Sequence, residues 1–264
     1  MKNSLIQWPR AKYWTTQWNP YIGCTPCSPA CENCYAAAWA ERFGQSFQPH
    51  VSSRTSPPKK GVVFCGNMTD LFGEWVNLEE RIGFIAKAQE RAAPKATYIW
   101  LTKRPYRMFR AIAAGWVCEK DYHAGEDILP KTLGNHVFGF TAENQEWFDI
   151  RWKELVDGCE SMNGIPTWTK LWVSAEPLLG AVDMVSGGAI HRLSWVVVGC
   201  ESGSNRRPCK LEWIESIVRQ CRENNVPVFV KQICLPDGKF TNKIDEFPKH
   251  LRIRQVPWTT KEEA

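Results

Sequence analysis

The chain has 264 residues, of which 44% are hydrophobic, so it is long enough to enclose one large core as a single domain. Its 33 Lys and Arg against 28 Asp and Glu give a net charge of +5, which permits an anionic partner such as nucleic acid without requiring one. No run reaches the roughly eighteen apolar residues of a membrane helix, and the N-terminus lacks the apolar centre of a signal peptide. We therefore predict one cytoplasmic domain over 1–264, with no membrane segment.

Short apolar runs of strand composition alternate with helical patterns along the chain. After a first strand within 13–24, the predicted strands are 61–66, 97–102, 136–141, 170–177, 193–202 and 226–232. The predicted helices are one that starts at Tyr35 and ends before Gly44, then 77–93, 104–116, 143–158 and 210–225. Apolar strands without alternation, separated by helices, are typical of a parallel sheet that is buried on both faces. The sequence therefore predicts an α/β fold, a partial or full TIM-like (β/α) barrel with parallel strands.

Three segments have the composition of loops or chain ends. The segment 44–61 is rich in Ser, Pro and Lys, and 118–135 is polar with Gly and Pro. We predict that 118–135 is a polar insertion near the mouth of the barrel. We expect the tail 259–264 to be flexible.

Polar residues follow nearly every predicted strand at its carboxyl end. They are Asn67 and Asp70, Thr102 with Lys103 and Arg104, Thr141 with Glu143, Ser174 with Glu176, Glu201 with Ser202, and Lys231 with Gln232. In (β/α) barrels the carboxyl ends of the strands meet on one face, where the active site lies. The pattern therefore predicts a shared polar site on that face.

Four of the eleven cysteines lie in one short loop after the first predicted strand: Cys24, Cys27, Cys31 and Cys34. A reducing cytoplasm argues against disulfides. Three alternatives remain: a structural zinc held by four thiolates, a [4Fe–4S] cluster held by three, and metal-free thiols. Because all four cysteines lie in one segment, whereas zinc ribbons join two separate pairs, the cluster is favoured. The seven other cysteines are scattered and are expected to be mostly buried structural thiols.

The segment 16–44 resembles the opening of an uncharacterised phage-associated protein family, whose members share the pattern W-N-P-x-x-G-C-x6-C-x2-C-Y-A. The resemblance continues through "NMTDLF", "WLTKRPYRM", "FTAENQ", "WVSAEPLLG", "VVGCESGSNRRP", "PVFVKQ" and "DEFP", which covers almost the whole chain. That family in turn resembles radical S-adenosylmethionine (SAM) enzymes, which carry a Cys-x3-Cys-x2-Cys motif on their first βα loop.

The resemblance implies a radical-SAM-like barrel with a [4Fe–4S] cluster and SAM as cofactors. The family spacing assigns Cys24, Cys31 and Cys34 as cluster ligands, whereas the radical SAM spacing assigns Cys27, Cys31 and Cys34. This chain departs from many radical SAM enzymes at position 33, where Asn33 replaces an aromatic residue. The substrate is unknown, and a reducing electron donor is implied.

The remaining roles are assigned to residues at the strand ends. We predict that Asn67, Thr141, Glu143 and Glu176 contact the cofactor, and that Lys231 and Glu176 are catalytic. Lys103, Arg104, Glu201 and Gln232 are predicted to bind the substrate, which could be a nucleotide or nucleic acid.

A protein of another class also fits the sequence: a non-catalytic four-cysteine zinc protein that binds nucleic acid through a basic rim. Anaerobic reconstitution distinguishes the two classes, because an iron–sulfur protein is brown and a zinc protein is colourless. Stacking of bases on tryptophan is not favoured by the sequence. Most of the fourteen tryptophans lie in predicted strands or helices, among them Trp100, Trp172, Trp195 and Trp213, and are expected to pack in the core.

Overall fold

The structure is a computed structural model that describes residues 6–91, 95–122, 133–160, 164–167, 169–235 and 237–258. Most of the predicted polar insertion, residues 123–132, and the predicted flexible tail, 259–264, lie outside the described residues. The described parts of the insertion are helical, since 118–122 continue an α-helix and Leu133–Asn135 form a short 3-10 helix. Among the described helices, none combines the length and the apolar character that crossing a membrane requires.

Strands and helices alternate through most of the chain, as the sequence predicts. The strands are β1 Ile6–Gln7, β2 Thr16–Trp18, β3 Tyr21–Ile22, β4 His50–Val51, β5 Gly61–Cys65, β6 Ala96–Thr102, β7 His136–Thr141, β8 Lys170–Ala175, β9 Leu193–Gly199, β10 Val228–Cys234, β11 Phe240–Thr241 and β12 Gln255–Val256. The α-helices are α1 Tyr35–Arg42, α2 Leu78–Arg91, α3 Pro105–Tyr122, α4 Gln145–Gly158 and α5 Leu211–Glu223.

The main sheet has eight strands in the order β11-β10-β9-β8-β7-β6-β5-β2. Every neighbouring pair is parallel except β10 and β11. The predicted parallel sheet is therefore confirmed. Among the described strands, β2 and β11 are the two edges and do not pair with each other, so the hydrogen-bond ladder does not show a closed barrel.

The sheet is strongly curved around Tyr13, whose side chain is 2% exposed. The Tyr13 ring lies 6.2 Å from the ring of Phe64 on β5 and 5.5 Å from that of Phe229 on β10. In a flat sheet these two strands would be about 24 Å apart, at five strand spacings. Two such strands can both contact one ring only if the sheet curls, so the described strands form an open, barrel-like curve.

Two buried clusters cover the two faces of this sheet. Alternate strand residues on the concave face pack around Tyr13 together with Trp8, Trp172, Trp195 and Trp258. The convex face packs against the helices. For example, the 3.6-residue period of α5 buries the side chains of Ile214, Ile217, Val218 and Cys221. The predicted core positions of Trp100, Trp172 and Trp195 are confirmed, since all three are 0% exposed.

The first predicted strand, 13–24, is divided in two by Pro20. Proline has no N–H to donate to a ladder, and the chain changes partner there. β2 pairs parallel with β5, whereas β3 pairs antiparallel with β4, with Tyr21 opposite Val51. The segment 44–61, predicted to be a loop, therefore contains a short strand that lies beside the beginning of the cysteine loop.

Candidate functional site

Two adjoining cavities lie at the carboxyl ends of the parallel strands, where parallel sheets usually bind ligands. The smaller has a volume of about 160 Å³, and its lining includes Cys24, Cys31 and Cys34. The larger has a volume of about 410 Å³. Cys34, Tyr35 and several other residues line both cavities, so the two are neighbouring parts of one cleft.

Most of the polar residues predicted at the strand ends line this cleft. Those around the smaller cavity are Asn67, Asp70, Thr102, Lys103, Arg104 and Thr141. Those around the larger cavity are Asn67, Lys103, Thr141, Ser174, Glu176, Glu201, Ser202 and Lys231. Glu143 and Gln232 are not in either lining: Glu143 pairs with the buried Arg151, and Gln232 donates to Glu176, which lines the larger cavity.

The backbone before Cys24 requires glycine. Gly23 has φ +90°, and a Cβ at this position would lie 2.3 Å from the Gln48 carbonyl oxygen. The close approach is fixed by the hydrogen bond from the Cys24 N–H to the Phe47 carbonyl at 3.1 Å. The Gly-Cys pair of the sequence pattern thus places Cys24 against the chain that follows α1.

Cys27 contacts Cys31 and does not line the smaller cavity. The Cys27 N–H donates to the Cys31 sulfur at 3.5 Å. A hydrogen bond from the Cys27 side chain lowers the pKa of Cys31 to about 4. The same hydrogen bond, together with burial, raises the pKa of Cys27. Cys27 therefore favours the charged form of Cys31, whereas Cys24, Cys31 and Cys34 face the cavity.

Arg104 anchors the cysteine loop next to Cys24. Its Nη2 donates to the Thr25 carbonyl at 3.2 Å and to the Thr25 hydroxyl at 3.1 Å. Its Nη1 and Nε donate to Asp70 at 3.2 Å and to Glu74 at 2.8 Å. Because each guanidinium nitrogen has an acceptor within the protein, the described contacts give Arg104 an anchoring role, and its predicted contact with substrate stays a prediction.

Asp70, which accepts a hydrogen bond from Arg104, is itself held by two segments of the protein. Its carboxylate accepts hydrogen bonds from the Thr102 hydroxyl at 2.8 Å and from the backbone N–H of Lys103 at 3.1 Å. A third comes from the backbone N–H of Phe72 at 3.0 Å. The end of β6 and the turn after β5 thereby hold the charge that orients Arg104.

A second arginine, Arg207, anchors the other end of the loop. It donates to both carboxylate oxygens of the buried Glu201, to the Pro29 carbonyl at 2.9 Å and to Glu32 at 3.0 Å. Asn33 also donates to Glu201, at 3.0 Å. Through this hydrogen bond Asn33 helps to hold the loop against Glu201. Glu201 also lines the larger cavity, and its predicted contact with substrate stays a prediction.

Asn67 lines both cavities and is oriented by a chain of amides. Its side chain donates to Gln17 at 2.9 Å and accepts from Asn19 at 2.8 Å. Its backbone carbonyl accepts a hydrogen bond from the Tyr35 hydroxyl. The contacts with Gln17 and Asn19 use one N–H and one lone pair of the side-chain amide, so one N–H and one lone pair remain for a bound molecule.

Lys231, Glu176 and Gln232 form a polar group beside the larger cavity. Lys231 Nζ lies 2.5 Å from Glu176 Oε1, and both side chains are partly exposed to the cavity. Gln232 donates to the same carboxylate oxygen at 3.0 Å and to the Cys200 carbonyl at 2.6 Å. The predicted catalytic pair is thus in contact, and Gln232 positions it from behind.

Glu143 forms a fully buried ion pair with Arg151 of α4. Burial favours its neutral form, but the positive charge of Arg151 outweighs this and lowers the pKa of Glu143. Arg151 also donates to the Thr141 carbonyl at 2.7 Å. The pair ties α4 to the end of β7, so its contacts are structural, and of these residues only Thr141 lines the cleft.

Lys103 is a cation that faces the cleft. It lines both cavities and forms no salt bridge with another described residue, and its charge helps to lower the pKa of Cys31 and of Glu143. The other lysine of the cleft, Lys231, is neutralised by Glu176. An anionic group bound in the cleft would therefore be attracted to Lys103.

Cys24, Cys31 and Cys34 are the donors in this cavity that a metal centre would use. Thiolates bind zinc and iron–sulfur clusters. Within the described residues, no three His, Cys, Asp or Glu side chains are gathered as the ligands of a single ion are. Three thiols around one cavity fit a cluster that leaves one iron without a protein ligand.

The fold and this cleft define an α/β protein with a thiol-lined site at the carboxyl edge of a curved parallel sheet. The family model described as "Protein of unknown function (DUF5131)" matches residues 3–250, and the chain belongs to that family. Neither the curated proteins nor the solved structures include a match to this chain. All the cleft residues named above lie within the matched range.

Sequence reasoning did not identify the partners of three residues that shape the site. Asn19 had no assigned role, Asp70 was only one of the polar strand-end residues, and Arg207 was expected either to anchor a phosphate or to be solvated. Nothing in their local sequence shows which groups they contact. Each acts on a segment that is distant in the chain, such as the bond between Arg207 and the Pro29 carbonyl across 178 residues. Covariation between such positions is the signal that would reveal them.

Proposed function

We propose that this protein is a radical SAM-type enzyme, with a [4Fe–4S] cluster held by Cys24, Cys31 and Cys34. The observation that carries the proposal is the position of these three thiols around one cavity, next to a larger cavity at the carboxyl edge of a parallel sheet. Cys27 is left out because it contacts Cys31 and does not line the cavity. Three thiolate ligands leave one iron open for SAM.

A reduced cluster held by these thiols would supply one electron for the reductive cleavage of SAM, which is the chemistry that starts radical SAM reactions. Lys103 faces both cavities and balances an anionic group, either the carboxylate of SAM or a phosphate of the substrate. Asn67 and Thr141 present hydrogen-bonding groups on the wall that the two cavities share. The rings of Tyr13 and Phe64 keep water from that part of the larger cavity.

The larger cavity is proposed to hold the substrate. The Lys231–Glu176 pair offers a donor and an acceptor that can hold or move a proton at Lys231 Nζ. Aromatic walls together with the free charge of Lys103 suit a planar anionic molecule, and we propose a nucleotide or nucleic acid. A reducing electron donor completes the requirements of the reaction.

Anaerobic reconstitution with iron and sulfide tests the proposal. The expected product is a brown protein with about four iron and four sulfide per chain, which releases 5′-deoxyadenosine from SAM when dithionite is added. Electron paramagnetic resonance of the reduced protein measures the cluster directly. A colourless protein with one tightly bound zinc would refute the proposal and support the four-cysteine zinc protein.

The ligand assignment gives a prediction for single variants. Cys24→Ser, Cys31→Ser and Cys34→Ser are each expected to abolish stable iron binding, because each removes a thiolate ligand. Cys27→Ser removes a supporting contact, for which the expected loss of affinity is about 10–100-fold, so the protein should still reconstitute at high iron. Iron analysis and visible absorbance measure the difference.

Cys234→Ser is the matched control, because this partly exposed thiol lies outside the cysteine loop. It is expected to bind iron like the parent protein. If Cys24→Ser kept a full cluster and Cys27→Ser lost it, the ligand set would be Cys27, Cys31 and Cys34, and the argument from the cavity would be wrong.

A further inference from the structure

Helix α1 and its C-cap residue carry an exposed row of aromatic side chains, which we call the aromatic stripe: Tyr35, Trp39 and Phe43. They are 56%, 47% and 58% exposed, respectively. Residues four positions apart lie on the same face of a helix, and the rings of Trp39 and Phe43 are in contact, with centroids 4.8 Å apart. Contiguous exposed apolar surface of this kind marks a binding surface more often than chance exposure does.

The stripe begins inside the cleft. Tyr35 follows Cys34 directly, lines both cavities, and donates its hydroxyl hydrogen to the Asn67 carbonyl. Trp39 and Phe43 follow Tyr35 at four-residue spacing. A molecule in the larger cavity that contacts Tyr35 is therefore at the inner end of the stripe.

Positive charge lies at both ends of the stripe. Lys103, at the inner end, has no ion pair within the described part of the chain. The guanidinium of Arg42, at the outer end, lies 6.0 Å from the centre of the Phe43 ring and is exposed. Aromatic faces flanked by cations bind single-stranded nucleic acid, because bases stack on the rings and phosphates lie against the cations.

We propose that the aromatic stripe binds single-stranded nucleic acid, with one nucleotide in the larger cavity and its neighbours stacked on Trp39 and Phe43. The assignment of the cavity nucleotide as the reacting one rests on the proposed function, whereas binding to the stripe does not. The three rings offer little that could read a 2′-hydroxyl, so DNA and RNA strands should bind alike. A duplex should bind more weakly, because its bases are already stacked on each other.

Fluorescence anisotropy with labelled oligothymidylate and oligouridylate tests the proposal. Trp39→Ala and Phe43→Ala are each expected to raise the Kd for both strands about tenfold, since each removes a stacking platform. Tyr106→Ala is the matched control, because Tyr106 is 45% exposed on another helix, and its Kd should equal that of the parent. A labelled duplex of the same length is the second comparison.

Unchanged Kd values in Trp39→Ala and Phe43→Ala would overturn the proposal, as would an equal loss in Tyr106→Ala. A second copy of this chain could cover the stripe instead, and sedimentation tests this. If the parent is a dimer and Trp39→Ala is a monomer, the stripe is a contact between two copies, and the proposal is wrong. The measurements are made with metal-free and reconstituted protein. If the protein binds single strands but takes up no iron on reconstitution, the proposed function is wrong and the binding proposal stands. If it takes up iron but does not bind single strands, the binding proposal is wrong and the proposed function stands.

Discussion

Replacement of Arg151 by methionine is expected to lower the free energy of unfolding by about 3–5 kcal/mol, because it leaves the Glu143 carboxylate buried without a countercharge. Both side chains are 0% exposed. Arg151 donates to both oxygens of that carboxylate and, at 2.7 Å, to the Thr141 carbonyl. Urea unfolding followed by circular dichroism measures the loss.

The double variant Glu143→Met with Arg151→Met separates charge from packing. Removing both partners removes the unpaired charge, so most of the lost stability should return. If the double variant were as unstable as Arg151→Met alone, the effect would come from packing around α4, and the ion pair would not be its cause.

The same pair gives a pH dependence with a defined sign. The pKa of Glu143 is lowered in the folded protein, so the pair stabilises the fold above the unfolded pKa of about 4.3. That contribution is lost as the pH falls through the folded pKa. The parent protein should therefore lose more stability on acidification below about pH 4 than the double variant does.

Arg104→Gln is expected to destabilise the protein by about 3 kcal/mol and to prevent stable iron loading, because it removes the countercharge of Asp70 and frees the loop that carries Cys24. The guanidinium holds Thr25 through two hydrogen bonds, one of them at 3.1 Å. The readouts are urea unfolding of the metal-free protein and iron per chain after reconstitution. Arg104→Lys keeps the positive charge but loses the forked set of N–H donors. Compared with Arg104→Gln, it should recover most of the stability but little of the iron loading.

Arg219→Gln is the control for Arg104→Gln. Arg219 is exposed on α5 and bonds only to the Ser216 hydroxyl among the described residues. Its replacement should change stability by less than about 0.5 kcal/mol and leave iron loading unchanged. Full iron loading in Arg104→Gln would show that the cysteine loop keeps its shape without this anchor.

The parallel sheet could be predicted because its strands are apolar without alternation. Residues 136–141 form β7, and all of them are buried. The curvature could not be predicted in the same way. It depends on Tyr13, which lies before β2 and packs against rings from strands far along the chain. Hydrophobic periodicity reports that a face is buried, but it does not report what covers that face.

The location of the candidate site could be predicted from the polar residues that follow the strands. The hydrogen-bond and ion-pair partners of those residues could not be predicted. A carboxylate after a strand predicts a polar edge, but the sequence does not show which way the carboxylate faces. Glu143 and Glu201 are each paired with an arginine a few residues later, Arg151 and Arg207. The choice between Cys24 and Cys27 also depends on distant groups, since Arg104 reaches the loop from 79 residues away.

Tyr13 is both a core side chain and part of the wall of the larger cavity. Beneath it, Trp195 packs against Trp258 at 5.0 Å, and β1 pairs with β12 across the inner side of the sheet. Because the same side chain belongs to the packed interior and to the cavity wall, a substitution at Tyr13 would alter both the stability of the fold and the shape of the larger cavity.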